Sequence, residues 1–497
     1  AAVAKLTTDQ VGAITTDQVS ALTTAQVKAL TTDQVVALNT DQISKLTVAQ
    51  VGAMSATQVA AIETDDLKLM TATEVAAFST AAVAKLTTDQ VGAITTDQVS
   101  ALTTAQVKAL TTDQVVALNT DQVGKLNAAQ VGALSATQVA AIETDDLKLM
   151  TTTGIAALST AAVAKLTTDQ VAAMTTDQVS ALTTSQIKAL TTNEVVALTS
   201  DQVSNLTTAQ LAAMAVTQVA AIATDDFSNL TTSQLTSLSV TQVKALKTSQ
   251  IQSMTTDQVK ALSTAQISAM SATQIKAIET DDVAAMGTNQ IRALTSANVA
   301  ALTTDQISSM TSDQVAALSN SQVQALSTSQ VARLSSDQVK ALTTSQVAAL
   351  SASQVKALDT EDLAAMGTTQ IAALSSGNVA ALSTAQVAGM KTEQVAALSS
   401  TQVKALSTAQ IVAMNSDQLS HMTTSQISAL SAAQVKAIET DDLAAMSTSQ
   451  VMALSTANVA ALTTSQVNHM TTDQVSSLSA AQMKALSKAQ VTALTSD

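Results

Sequence analysis

The chain has 497 residues, a formal net charge of −15, and neither cysteine nor proline. The absence of cysteine excludes disulfides, thiolate metal sites and thiol nucleophiles. The acidic balance argues against nucleic acid and anionic membranes as partners, because both are held chiefly by basic residues. Phe78 and Phe227 are the only aromatic residues, so there is no stacking platform for bases. No apolar run reaches the roughly 18 residues that a membrane span requires.

An eight-residue repeat runs through the chain without a slip. The unit reads Leu-Thr-Thr-Asp-Gln-Val-x-Ala, as in residues 6–13 and 30–37. Two positions of every octad are apolar, the first Leu, Met, Ile or Phe and the second mostly Val or Ile. We therefore interpret residues 1–497 as one continuous octad array with a continuous core. The core positions predicted at its start are Val11, Ile14, Val19, Leu22, Val27 and Leu30.

The octad predicts one short helix per repeat. Two apolar sites per octad recur on average every fourth residue, so in one long helix the apolar stripe would rotate by about 80° per octad. A Thr or Ser stands three positions before a Gln in most octads, which is the capping box that begins a helix. The predicted capping pairs at the start of the array are Thr7 with Gln10, Thr15 with Gln18, and Thr23 with Gln26.

These features predict an all-α superhelical solenoid, because helices shorter than about 12 residues are marginal in isolation and need neighbours. We expect the variable residue, at position 12 and its equivalents, to face solvent. The alternative is a β-solenoid, since Thr and Val favour strands. Against this alternative, Gly, Asn and Asp are scarce at any fixed turn position.

A longer period is marked by an acidic octad. The sequence Glu63-Thr-Asp65-Asp66 returns at 143–146, and related octads contain the pairs 225–226, 281–282, 361–362 and 441–442. Successive pairs are ten octads apart, except that the pairs at 225–226 and 281–282 are separated by seven. The short block lacks three octads, which would leave the phase of the marker unchanged if three octads formed one coil. We therefore expect about three helices per coil, with tandem duplication as the alternative origin of the period.

The two ends of the sequence interrupt the pattern. Ala1 lies within an octad, and residues 494–497 begin another one. We expect the termini of the protein, with any secretion signal or anchor, to lie beyond this segment.

The acidic octads are candidate Ca²⁺ sites, because Ca²⁺ takes six to eight oxygen ligands, often from several carboxylates. The structural alternative is that Asp in a first helical turn interacts with the helix dipole and that Asp in place of Gln still caps the helix. An Asp-x-Asp-x-Asp-Gly loop is absent, and no other cofactor is expected. The candidate residues are Asp65, Asp66, Asp145, Asp146, Asp225, Asp226, Asp281, Asp282, Asp441 and Asp442.

No residue pattern indicates catalysis. His421 and His469 both occupy the alanine position of their octads, and they have no cysteine or recurrent carboxylate beside them. Ser and Thr are abundant but have no His-Asp companion. A Gly-rich phosphate loop is also absent. We therefore predict that the chain is not an enzyme.

Two resemblances follow from the octad. Residues 30–38, Leu-Thr-Thr-Asp-Gln-Val-Val-Ala-Leu, are similar to the first helix of a TAL effector repeat. The second helix and the base-reading dipeptide of that family are missing, so DNA reading is not implied. The whole chain resembles the octad arrays of long bacterial surface or secreted proteins, described as adhesin-like or haem-utilisation-like. No recurring haem ligand accompanies the resemblance.

These observations predict a structural fibre, stalk or filament at the cell surface or outside the cell, which self-associates through its repeated surfaces. The alternative is an adhesin-type solenoid that presents a repetitive surface to protein, glycan or ice.

Overall fold

The computed structural model describes residues 2–494, and in this part of the chain every complete octad forms one short helix and no strand occurs. The chain divides into two units, Ala1–Ser253 and Met254–Asp497. The predicted all-α fold is confirmed, and the β-solenoid alternative is wrong.

The first unit begins with a 3₁₀ turn at Val3–Lys5, followed by α1 to α31. These helices are α1 (Thr8–Gly12), α2 (Thr16–Ser20), α3 (Thr24–Lys28), α4 (Thr32–Val36), α5 (Thr40–Ile43), α6 (Val48–Ala53), α7 (Ala56–Ala60), α8 (Thr64–Leu69), α9 (Ala72–Ala76), α10 (Thr80–Val83), α11 (Thr88–Ala93), α12 (Thr96–Ala101), α13 (Thr104–Ala109), α14 (Thr112–Val116), α15 (Thr120–Gly124), α16 (Ala128–Ala133), α17 (Ala136–Ala141), α18 (Thr144–Leu149), α19 (Thr152–Ala157), α20 (Thr160–Val163), α21 (Thr168–Ala173), α22 (Thr176–Ala181), α23 (Thr184–Ala189), α24 (Thr192–Val196), α25 (Ser200–Ser204), α26 (Thr208–Ala213), α27 (Val216–Val219), α28 (Thr224–Ser228), α29 (Thr232–Ser237), α30 (Val240–Ala245) and α31 (Thr248–Gln252).

The second unit contains α32 to α61. These helices are α32 (Thr256–Ala261), α33 (Thr264–Ala269), α34 (Ala272–Lys276), α35 (Thr280–Ala285), α36 (Thr288–Ala293), α37 (Ser296–Ala301), α38 (Thr304–Ser309), α39 (Ser312–Ala317), α40 (Asn320–Ala325), α41 (Thr328–Val331), α42 (Ser336–Ala341), α43 (Thr344–Ala349), α44 (Ala352–Ala357), α45 (Thr360–Ala365), α46 (Thr368–Ala373), α47 (Ser376–Ala381), α48 (Thr384–Ala388), α49 (Thr392–Ala396), α50 (Ser400–Ala405), α51 (Thr408–Val412), α52 (Ser416–Ser420), α53 (Thr424–Ala429), α54 (Ala432–Ala437), α55 (Thr440–Ala444), α56 (Thr448–Ala453), α57 (Thr456–Ala461), α58 (Thr464–Asn468), α59 (Thr472–Ser477), α60 (Ala480–Ala485) and α61 (Lys488–Leu494).

Between helices such as α12 and α13, two extended residues, Leu102 and Thr103, form a corner. Before α12, the capping residue Thr95 has φ −74° and ψ 160°, and its side chain accepts a hydrogen bond from the Gln98 amide. The helix ends at Leu102, which has φ −57° and ψ 135°. Within residues 2–494 no residue has a positive φ and no peptide bond is cis. A corner therefore needs neither glycine nor proline, although the chain turns once per octad.

Three consecutive helices form one coil. Within each unit, a helix packs on the helices three before and three after it, as α12 does on α9 and α15. Equivalent helices of successive coils thus form three columns, and residues three octads apart in sequence lie in neighbouring coils. This pattern confirms the predicted three helices per coil.

The two apolar series fill the interior of each unit. In a typical octad Val99 is fully buried and Leu102 is 5% exposed. Val11, Val19, Val27 and Leu30 are buried as predicted. Ile14 and Leu22 are only half-buried, because they belong to the first coil and have a neighbouring coil on one side alone.

The variable position is mostly exposed, as predicted, but it also lies against the next coil. The exposed hydroxyl of Ser20 donates a hydrogen bond to the carbonyl oxygen of Lys45 at 3.0 Å. A Cβ atom added to Gly92 would lie 3.0 Å from the carbonyl oxygen of Ala117. The expectation that this position simply faces solvent was incomplete, because coil stacking brings a helix end of the following coil against it.

Removing one octad should preserve the fold, whereas removing half an octad should not. Deletion of residues 344–351 joins Thr343 to 352–354 and leaves an intact capping box. We expect a thermal midpoint within about 3 °C of the unaltered chain and unchanged helicity per residue by circular dichroism. Deletion of residues 344–347 removes one buried valine and shifts the register, so we expect a clear decrease in both the thermal midpoint and the helicity per residue. Equal loss from the two deletions would contradict the octad as the structural unit.

Candidate functional site

Buried glutamines connect most coils to the coil before them. Gln346, 2% exposed, accepts a hydrogen bond at Oε1 from the backbone amide of Thr343, at 2.7 Å. Its Nε2 donates to the carbonyl oxygens of Val315 at 3.0 Å and Leu318 at 2.7 Å. Val315 lies in α39 and Leu318 at the end of that helix, where the corresponding corner begins one coil earlier. We call this set of three hydrogen bonds the glutamine bridge.

The glutamine bridge recurs along both units with the same two sequence separations, 31 and 28, between donor and acceptor. Gln98 donates to Leu67 at 2.9 Å and to Met70 at 2.7 Å. A glutamine side chain has one acceptor oxygen and two N–H donors, and the bridge uses all three groups. Among residues 2–494 no fully buried side-chain nitrogen or oxygen lacks a partner. The buried amides are therefore fully paired.

The predicted capping pairs form capping boxes in the structure. The Thr7 hydroxyl accepts from the Gln10 amide at 3.2 Å, while Gln10 Oε1 accepts from the Thr7 amide at 2.9 Å. The same reciprocal bonds join Thr15 to Gln18 and Thr23 to Gln26.

The capping pattern predicts the role of the glutamine Oε1 atom, but it does not predict that Nε2 donates hydrogen bonds to the coil before. A capping box accepts Glu as well as Gln, yet Glu occurs at this position only at Glu74 and Glu194. Glu74 still forms a capping box with Thr71, because its Oε2 accepts a hydrogen bond from the Thr71 amide at 2.7 Å. A carboxylate, however, has no N–H to donate. The strong preference for Gln over Glu was the signal that an N–H donor is required.

The six acidic octads replace this glutamine by a buried aspartate. In α8, Asp66 is 6% exposed, whereas Asp65 is exposed and its Oδ1 lies 3.4 Å from Lys68 Nζ. In α18, Asp145 Oδ1 lies 3.0 Å from Lys148 Nζ. The two neighbouring carboxylates of an acidic octad therefore have different surroundings, one in solvent and one at the coil interface.

The prediction that Asp in place of Gln still caps the helix is wrong. No capping box forms in α8, α18, α28, α35 or α55, and in α45 the cap is Asp359 itself. The aspartate side chain is one methylene shorter than that of glutamine, so it does not reach back to the capping amide. Four of these aspartates accept a hydroxyl hydrogen bond from the coil before: Ser200 to Asp226 at 2.5 Å, Thr256 to Asp282 at 2.7 Å, Ser336 to Asp362 at 2.6 Å and Ser416 to Asp442 at 2.5 Å.

The structure separates the candidate Ca²⁺ ligands into an exposed and a buried set. The exposed set is Asp65, Asp145, Asp225, Asp281 and Asp441, and the buried set is Asp66, Asp146, Asp226, Asp282 and Asp442. In the first unit the acidic helices α8, α18 and α28 lie in three different columns. Within residues 2–494 no group of three or more His, Cys, Asp or Glu side chains is placed to hold a metal ion. Binding of Ca²⁺ at these octads stays a prediction.

Asp362 is buried at the coil interface, and its pKa is shifted. Burial raises the pKa of this carboxyl above its ordinary range, and the charges of Asp359 and Glu361 act in the same direction. The hydrogen bond from Ser336 opposes the increase in pKa. The ionised form of Asp362 is therefore disfavoured at its coil interface.

The two histidines bond to their own helices. His421 Nδ1 lies 2.7 Å from the carbonyl oxygen of Asp417, and His469 Nδ1 lies 2.8 Å from that of Ser465. Both histidines are exposed and lie in one column, two coils apart, with α55 between their helices. The structure therefore does not bring them together.

The octad repeat is also the feature that relates the chain to a known family. The family described as ALTTAQ repeat matches most of the chain. The chain belongs to the ALTTAQ repeat family. The matched residues in this ALTTAQ array are 1–24, 20–48, 59–96, 91–128, 139–176, 166–192, 179–216, 219–256, 275–312, 315–352, 355–392, 375–408, 387–424, 395–432 and 435–472.

No curated protein matches the ALTTAQ array. Across residues 2–494, no helix has the length and apolar character that crossing a membrane requires.

Replacing a bridging glutamine should destabilise the coil interface in a graded way. Gln346→Ala leaves the Leu318 carbonyl group without its donor and leaves the Val315 carbonyl group only its bond from the Leu318 amide, at a cost of about 1–3 kcal/mol in local stability. Gln346→Glu keeps the cap but places a carboxylate against two carbonyl oxygens, so we expect a larger loss. Hydrogen exchange of peptides from α40 and α43 measures both.

The matched control for these variants is Ser345→Ala, which alters the exposed neighbour and leaves the bridge intact. Equal exchange rates in Gln346→Glu and Ser345→Ala would contradict a structural role for the Nε2 donor.

The raised pKa of Asp362 predicts a pH dependence. Because the folded carboxyl keeps its proton to a higher pH than the unfolded one, ionisation of Asp362 destabilises the second unit. The unfolding free energy should therefore rise as the pH falls from the raised pKa towards the ordinary value of about 3.9.

Asp362→Asn should remove this contribution, whereas the exposed Asp337→Asn should retain it. The measurement is the difference between each variant and the unaltered chain in urea unfolding, from pH 7 to pH 4. Parallel pH profiles for the unaltered chain and Asp362→Asn would contradict the prediction.

Proposed function

We propose that this ALTTAQ array is a non-enzymatic structural segment of an extracellular fibre, stalk or filament. The observation that carries the proposal is the contact pattern: within each unit a helix packs on the helices three positions away, through one repeated set of bonds. Such a segment extends by adding equivalent coils.

Nearest-neighbour contacts suit a spacer. When each repeat contacts only adjacent repeats, stability is approximately a sum of equal contributions from repeats and interfaces. Adding or removing coils then changes length without requiring a new core. The two apolar series repeat from coil to coil, and the glutamine bridge joins most coils to the coil before, so most coils supply similar support to the next.

The exposed surface is consistent with life outside the cell. It is formed largely by Ser, Thr and Asp at the first helical turns and by small, basic, Gln and some apolar residues at the variable position, with no cysteine to oxidise. Repeated identical surfaces at fixed intervals favour open-ended association. We therefore include self-association into filaments in the proposal.

The adhesin-type alternative receives no specific support from the capping hydroxyls. The Thr343 hydroxyl, for example, accepts a hydrogen bond from the Gln346 amide at 3.2 Å. A row of hydroxyls engaged in this way is less available to match a glycan or an ice lattice.

A length series tests the fibre proposal. We expect electron microscopy of the purified chain to show elongated particles. Each deleted block of three octads should shorten the long axis by about 8–10 Å, the distance between packed helices. Antibody labelling of intact source cells tests the extracellular location. Compact particles whose longest dimension does not follow the number of coils would contradict the fibre.

Sedimentation over a hundredfold range of concentration tests self-association with the same preparations. A chain that stays monomeric throughout would contradict the filament part of the proposal and leave the spacer part standing. Binding to a glycan array or ice without elongation would favour the adhesin-type alternative.

A further inference from the structure

Two coils of the first unit lack the glutamine bridge completely. In the coil α8 to α10 the bridging position holds Asp66, Glu74 and Ala82. In the coil α18 to α20 it holds Asp146, Gly154 and Ala162. Because three consecutive octads form one coil, all three corners of the interface are affected together.

The missing bridges leave backbone acceptors without their donors. In a complete bridge the glutamine Nε2 donates to the carbonyl oxygen of the residue 28 positions before it, as Gln98 does to Met70. At the first interface without bridges this position holds Leu38, Leu46 and Met54, and at the second it holds Leu118, Leu126 and Leu134. None of these six carbonyl oxygens accepts a hydrogen bond from another group within residues 2–494.

Glu74 makes the first interface less favourable than a simple deletion would. It is 7% exposed, and Oε2 accepts from the Thr71 amide, as Gln Oε1 does in a bridge. A glutamate side chain has no amide N–H to donate to the earlier corner, and burial of a carboxyl group without a partner there costs free energy.

The apolar packing continues through these coils. Leu67, Val75 and Val83 are fully buried, and α8, α9 and α10 each pack on the helix three positions before. The interface is thus held by non-directional burial alone. It lacks the hydrogen bonds that elsewhere fix one coil on the next.

The second unit offers an internal comparison, because its acidic octads never remove all three bridges. In the coil α35 to α37, Gln290 donates to Val259 at 2.9 Å and to Leu262 at 2.8 Å. Asn298 in the same coil donates to Met270 at 3.2 Å. Only the middle corner keeps a complete bridge and one corner keeps a single bond, so this interface is intermediate.

We propose that two interfaces are opening seams, the places where the first unit separates first under heat, denaturant or tension. One lies between α5–α7 and α8–α10, and the other between α15–α17 and α18–α20. The two seams lie ten octads apart. The acidic octads at α8 and α18 therefore mark where a coil is released from its neighbour, and tension divides the unit into segments of defined length.

Hydrogen exchange of the full chain tests the seams directly. Short helices lose protection when the adjoining coil leaves, because they depend on neighbours for stability. We expect residues 63–86 and 143–166 to exchange at least about tenfold faster than the next coils, 87–110 and 167–190, which keep their bridges. Residues 279–302 should lie between the two. Equal rates in all these peptides would overturn the proposal.

Closing one seam provides the matched control. The triple variant Asp66→Gln, Glu74→Gln and Ala82→Gln should slow exchange in 63–86 to the rate of 87–110, and leave 143–166 unchanged. The reverse triple, Gln90→Ala, Gln98→Ala and Gln106→Ala, should create a seam at α11–α13. Should the first triple not fold, Glu74→Gln alone, which has nearly the same shape, should still slow exchange in 63–86. No slowing in folded Glu74→Gln would equally overturn the proposal.

Discussion

The structure depends on one hydrogen-bonding constraint, the pairing of the backbone carbonyl groups at each corner. Where the chain leaves a helix, the carbonyl oxygen of a residue such as Leu318 finds no amide within its own octad. A buried carbonyl group without a donor costs about 1–3 kcal/mol. The side chain of Gln346 supplies this donor from the next coil, while its oxygen pairs the capping amide of its own helix. One residue type thus satisfies a helix beginning in one coil and a helix end in another.

The apolar core and the glutamine bridge have different roles. Burial of the valine and leucine series stabilises each unit, but hydrophobic attraction is non-directional and does not by itself fix how many helices form a coil. In most octads the bridge joins a glutamine to the same two positions of an earlier corner, and this geometry is met when the coil contains three octads. The interfaces at α8 and α18 separate the two contributions, because burial continues there while the bridges are absent.

The sequence predicted the fold to a large extent, for physical reasons that particular residues illustrate. The period of eight excluded one long helix, Thr95 and Gln98 marked a helix beginning, and the phase of the acidic octads indicated three helices per coil. The bridge was not predicted, because a capping box explains Gln98 without its Nε2 group, and the carbonyl groups it binds are far away in sequence. The failure of Asp66 to cap depends on one methylene of reach, which only the packed corner decides. The close approach at Gly92 likewise arises from stacking, which a pattern of exposed residues does not contain.

The most direct measurement of the central claim is solvent exchange of the glutamine side-chain amide protons by NMR, in a chain labelled at glutamine. Bridging residues such as Gln346 are predicted to exchange far more slowly than Gln252 and Gln324, which are exposed at the variable position. The slow set should include the fully bridged residues in both units. Uniformly fast exchange of all glutamine side chains would contradict the bridge, and the account of coil geometry that depends on it.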